Sequence, residues 1–155
     1  MEPFTTSITI QRPLAEVFDL ASCLIRCSVW QSGIVAAQKE TAGPVGVGTT
    51  YRHQVKFLGT IAETHPTITV WEPAHRLEFQ DQSTRIPSGA VYTFEAVAGR
   101  TKFTAVVTGD TTGKFSNYGE TFARRALMRQ YETDLQTLKE LLESGKPVKY
   151  PSDYA

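Results

Sequence analysis

From Asn117 to Ser144 the chain reads as one long amphipathic helix, and no other segment limits the fold as much. Asn117 followed by Glu120 resembles a capping box with asparagine in the serine's place. Phe122, Ala126, Leu127, Tyr131, Leu135, Leu138 and Leu142 then recur every three or four residues as an apolar stripe. Gly145 supplies a left-handed stop, and Pro147 forbids continuation. Such a helix is about 40 Å long. An apolar stripe of that length must be covered, and the rest of the chain offers a sheet to cover it.

The sheet is read from alternation. Residues 4–11 are rich in β-branched types and form a first strand. Pro13 fits the first position of a short helix carrying Leu14, Val17, Phe18 and Ala21, and a second short helical segment is expected over Cys23 to Trp30. Tyr51, His53, Val55 and Phe57 alternate with Arg52, Gln54 and Lys56, as a half-buried antiparallel strand requires. Thr60 to Trp71 and Arg76 to Asp81 follow as strands around the turn at Glu72 to His75. The last two strands flank a hairpin at Ala98-Gly99-Arg100, with Tyr92, Phe94, Phe103, Ala105 and Val107 on one inner face. The fold class is therefore α+β.

The 155 residues suit one domain, taken as residues 1–145, followed by an extended tail at 146–155. Lysine plus arginine balance aspartate plus glutamate at 16 each, so no strong field exists to gather nucleic acid. No apolar run approaches the length of a membrane span, and Met1-Glu2-Pro3-Phe4 does not open a signal sequence, so a cytoplasmic protein without membrane insertion is expected. Cys23 and Cys27 do not complete a zinc set and read as two buried thiols; no metal and no cofactor is expected.

The stretch from Gly43 to Tyr51, G-P-V-G-V-G-T-T-Y, has the glycine spacing of a phosphate loop, but Thr49 stands where the lysine belongs. The segment after it alternates as a strand, so the helix N-terminus that would hold a phosphate is missing as well. The better reading is a turn entering a strand. Gly46 and Gly48 allow positive φ or a bulge and clear space for something packed against the backbone, and Pro44 stiffens the approach.

Taken in order, I-x-R-P-L-A-E-V-F-D-L-A, Trp30, the glycine stretch, V-W-E-P-A-H-R-L-E-F, Y-T-F-E-A-V-A-G-R-T-K-F-T and the long final helix resemble the START-like (SRPBCC, Bet v 1-like) superfamily. Within it the chain is most similar to the polyketide cyclase/dehydrase group, and the resemblance spans about residues 4–144. It implies a helix-grip fold: a curved antiparallel β-sheet wrapped around a long C-terminal α-helix, with two short helices after the first strand. It also implies a hydrophobic cavity between sheet and helix for a small apolar molecule.

Alternation nominates Tyr51, His53, Val55, Phe57, Leu77, Phe79, Tyr92, Phe94, Phe103 and Ala105 as inward-facing, with Trp30, Phe122, Ala126 and Leu127 closing the space. The same residues could simply fill one another's volume. His53 needs a partner on a buried face, which Tyr92 or a backbone carbonyl could supply. His65 and His75 read as surface residues and Arg85 as a solvated loop residue, while Phe115 and Tyr118 could gate an entrance or staple the helix start. Three functions fit: a binding protein for a lipid, polyketide or similar small apolar molecule; a cyclase/dehydratase-like enzyme with Tyr51, His53 and Tyr92 as acid/base candidates; and an interaction module, monomeric or homodimeric, regulating a protein partner. Binding is favoured, because no carboxylate is confidently placed on the inner face.

Overall fold

In the computed structural model, residues 2–81, 88–109 and 119–148 are described. β1 (Phe4–Ile10) leads to α1 (Leu14–Ala21), a 3-10 turn (Cys27–Val29), β2 (Ile34–Lys39), β3 (Tyr51–Phe57), β4 (Thr60–Thr64), β5 (Thr67–Glu72) and β6 (Arg76–Asp81). The last elements are β7 (Ser88–Val97), β8 (Arg100–Thr108) and α2 (Glu120–Glu143). The strands pair antiparallel in the orders β1-β8-β7-β6-β5 and β2-β3-β4.

The two sheets form one wall with a corner. β3 pairs with β4 from Phe57–Thr60 to His53–Thr64, and the bridge Thr50–Thr67 continues that ladder in the same register. Between them Tyr51 N donates to Pro66 O at 2.9 Å, and beyond them Ile68 N donates to Thr49 O at 2.9 Å. Thr60 to Trp71, read from the sequence as one strand, is instead two, β4 and β5, which part at His65-Pro66 and belong to different sheets. Proline has no N–H for the ladder, and strands that switch sheets turn such corners.

α2 has 24 residues, about 36 Å of helix. Its flanking residue is Gly119, at φ +77°, while Asn117 lies outside the described residues. Gly145 has φ +67° and ends the helix as its position suggests. Beyond it Val148 packs against the core. The apolar stripe runs through Ala123, Leu127, Tyr131, Leu135, Leu138 and Leu142, not through Phe122, which is 56% exposed. Ala123 stands one helical turn before Leu127 and shares its face. Phe122 is one residue, about 100°, out of phase with that stripe.

The helix is fastened along β1 and its flanks. Arg124 donates to the carbonyls of Glu2 and Pro3, both at 3.1 Å, and Lys139 Nζ donates to Thr9 O at 2.8 Å. Glu143 Oε2 accepts from Gln11 N at 3.0 Å, and Phe4 meets Tyr131 edge-on at 5.9 Å.

α1 starts at Leu14 because Pro13, at ψ 149°, is still extended and acts as the flanking residue. The second short helix expected over Cys23 to Trp30 is only the 3-10 turn. A segment this short gains too few hydrogen bonds to propagate a helix, and burial of the Trp30 ring fixes its end. Cys27 is buried, but Cys23 is only partly so. In the glycine stretch Gly43 and Gly48 take φ of +90° and +92°, whereas Gly46 does not adopt positive φ. A Cβ at any of the three would meet open space, so conformation and not clearance is what asks for glycine at Gly43 and Gly48.

Candidate functional site

Rings pack one end of the interior solid. Trp71 touches Phe18 at 5.3 Å between centroids, Phe18 touches Phe94 at 5.1 Å, and Phe94 touches Phe103 at 4.9 Å. Tyr92 lies 5.1 Å from Phe103, and Trp30 lies 6.2 Å from it. Tyr51, Leu77 and Ala105 are likewise buried in this core. Most of the inward-facing residues read from the sequence are therefore filler, stacked as aromatic rings prefer.

At the other end of the same strands the packing stops, and a cavity of about 170 Å³ opens. β3 contributes His53 and Val55, the end of β6 contributes Phe79 and Asp81, and β7 and β8 contribute Gly89 and Val107. α2 closes it with Leu127, Gln130, Tyr131 and Asp134, and Leu24 and Gln31 complete the side nearest the 3-10 turn. An apolar cavity of about 150 Å³ accommodates a benzene ring. This one is sized for a single small ring.

Of the residues nominated from sequence, His53, Val55, Phe79 and Leu127 line the cavity. Trp30, Tyr51, Leu77, Tyr92, Phe94 and Phe103 are core, Phe57 and Ala126 are partly buried without lining it, and Phe122 points outward. Phe115, Tyr118 and Arg85 lie outside the described residues. The surface reading of His75 holds, while His65 is partly buried between Glu40 and Glu63.

The sequence placed no carboxylate on the inner face, but Asp81 and Asp134 are each 3% exposed and both line the cavity. A signal for Asp134 was present in the sequence: it sits three residues after Tyr131 and four before Leu138, on the buried face of α2. Its Oδ1 accepts from Ser32 N at 3.1 Å. Burial still raises its pKa, although the hydrogen bonds from Ser32 oppose that. Asp81 Oδ2 accepts from His65 N at 2.9 Å and so ties the corner of the wall to the cavity rim.

His53 Nε2 lies 2.7 Å from Leu24 O. A carbonyl only accepts, so Nε2 carries the proton and Nδ1 keeps its lone pair. Burial lowers the imidazole pKa, and the ring is neutral at neutral pH. Tyr92 is fully buried; its hydroxyl accepts from Gln31 Nε2 at 2.9 Å and bonds to Tyr131. Burial holds both of these phenols well above their ordinary range and pushes Tyr51 up to about 12. All three therefore act as neutral hydroxyls, and none as a phenolate base. Among the described residues no group of histidine, cysteine and carboxylate side chains is placed to hold a metal, and no helix is long and apolar enough to cross a membrane.

Residues 1–143 match the family model described as polyketide cyclase/dehydrase and lipid transport. No curated protein matches the chain in sequence. Among solved structures, TTHA0849 of Thermus thermophilus superposes with a TM-score of 0.78 at 15% identity, covering 94% of this chain and 100% of its own. The ZhuI aromatase/cyclase of Streptomyces sp. R1128 has a TM-score of 0.73 at 11% identity, covering 92% and 93%. The Aha1 dimer of Colwellia psychrerythraea has 0.64 at 18% identity, covering 95% and 100%. At these identities the likeness establishes the helix-grip fold.

Proposed function

Since the chain belongs to the polyketide cyclase/dehydrase and lipid transport family, we propose that it binds one small, largely apolar molecule between the sheet and α2. The cavity carries this reading. Its walls at Leu24, Val55, Phe79, Val107 and Leu127 are apolar, and apolar atoms make up most of its surface. Burial of ligand surface drives binding at about 25 cal/mol per Å² before the entropic costs of association. Native mass spectrometry of freshly purified protein, with thermal shifts on adding toluene-sized compounds, tests it. A retained apolar molecule or a rise in melting temperature is expected, and Leu127→Trp, which fills the cavity, should abolish either. Absence of both responses in the unmodified chain refutes binding at this site.

A second reading is favoured by one observation, the buried Asp134 carboxyl with its raised pKa on the cavity wall. A carboxyl poised nearer neutrality can give and take protons, as cyclisation and dehydration of a reactive chain demand. His53 Nδ1 would be the partner base. Turnover of an identified substrate that survived both Asp134→Asn and His53→Ala would remove this reading.

A further inference from the structure

Among the described residues the cavity wall carries two carboxylates, Asp81 and Asp134, and no cationic side chain. Asp81 and Asp134 bring carboxylate oxygens to its wall, and His53 brings a ring nitrogen whose protonated partner atom is already committed to Leu24 O. Among the described residues no lysine or arginine lines the space, and His53 Nδ1 has no protein donor facing it. An anion entering here would lose its water, meet two carboxyl groups and find no cation among the described residues.

From this we infer that the cavity selects uncharged molecules with a hydrogen-bond donor, a single ring bearing a hydroxyl, and rejects carboxylates of the same shape. The inference rests on the reading of the cavity as a binding site. The hydroxyl of such a ring donates to His53 Nδ1, which satisfies a buried acceptor that otherwise has only solvent to turn to. The ring occupies the apolar walls formed by Val55, Phe79, Val107 and Leu127. A site that pairs with a donor discriminates strongly against an analogue lacking it, because its own buried group is then left unpaired. The burial that lowers the His53 pKa acts in the same direction, since a neutral imidazole accepts where an imidazolium cannot.

The test compares four compounds of one outline on the full chain: toluene, p-cresol, 4-methylbenzoate and 4-methylbenzylammonium, with dissociation constants read from ¹H–¹⁵N NMR titration at neutral pH. The expected order is p-cresol, then toluene, then 4-methylbenzoate, with about tenfold or more between the first and the last. Asp134→Asn should narrow that gap by weakening the rejection of the anion. Binding of 4-methylbenzoate as tight as p-cresol, or of p-cresol no tighter than toluene, overturns the selectivity while toluene's own binding leaves the apolar site standing. Tighter binding of 4-methylbenzylammonium than of p-cresol overturns it in favour of a cation site. Failure of all of them to bind removes both readings.

Discussion

Two glycines on the cavity wall give a controlled pair of perturbations. A methyl group added at Gly89 would collide with the Phe79 carbonyl oxygen and lie 3.0 Å from Gln80 Cα, both on the paired backbone of β6. Added at Gly33, it would collide with the Gln130 amide nitrogen, the free end of a flexible side chain, and sit 3.3 Å from Lys56 O. At Gly89 the backbone itself must move. Overpacking of this kind costs about 1–3 kcal/mol, and a disturbed ladder hydrogen bond between β6 and β7 adds about 1 kcal/mol. Reduced freedom of the unfolded chain returns about 0.4–1 kcal/mol, leaving Gly89→Ala about 1–4 kcal/mol less stable. For a chain of this size that lowers the melting temperature by about 2–14 °C. At Gly33 a rotation of Gln130 costs about 0.5–1.5 kcal/mol, nearly offset by the same unfolded-state gain, so Gly33→Ala falls within about 1 kcal/mol of the parent. Urea unfolding followed by circular dichroism measures both. If Gly33→Ala proves the more damaging of the two, the rule that the yielding partner and not the overlap sets the cost fails here.

Ala98 and Gly99 form the two-residue hairpin between β7 and β8 with φ of 51° and 79°, a conformation asparagine accepts more readily than alanine. Ala98→Asn should therefore raise stability by about 0.5–1 kcal/mol, visible as a higher urea midpoint with an unchanged slope. His65 Nδ1 lies 2.7 Å from Glu40 Oε1 and Nε2 lies 3.1 Å from Glu63 Oε2, and the bond to Glu40, followed by that to Glu63, raises the imidazole pKa above 6.5. The stabilisation is fully present below the unfolded value and fades as pH rises through the folded one. The melting-temperature gap between the parent and His65→Gln should be widest below the ordinary histidine pKa of about 6.5 and narrow as pH rises above it; a gap that widens with pH contradicts the assignment.

The fold was legible where burial is one-sided. Alternation in β3, β7 and β8 and the recurrence of Leu127, Tyr131, Leu135, Leu138 and Leu142 along α2 place the elements without help from the structure. β2 escaped because Ile34 to Lys39 carries a bulge between Ile34 and Ala36 and so breaks the period of two. Periodicity also identifies a face without saying how far along it packing continues. It therefore selected the ring cluster of Phe94, Phe103 and Tyr92 as readily as the cavity wall of His53, Val55 and Phe79. Asp134 was missed for the opposite reason. A charge on an apolar stripe looks like a break in the pattern, yet it lies on the very face that lines the cavity.

The proline corner makes the volume of the chamber a matter of angle. Because the β3 ladder runs past Pro66 in one register, sliding the two arms of the wall along each other would break its hydrogen bonds, whereas a change in the angle between them need not. The Asp81 strut to His65 N then works like a stay across the hinge. Substitutions at this handful of backbone-holding positions can enlarge or shrink the chamber while His53, Val55, Phe79 and Leu127 on its walls are retained.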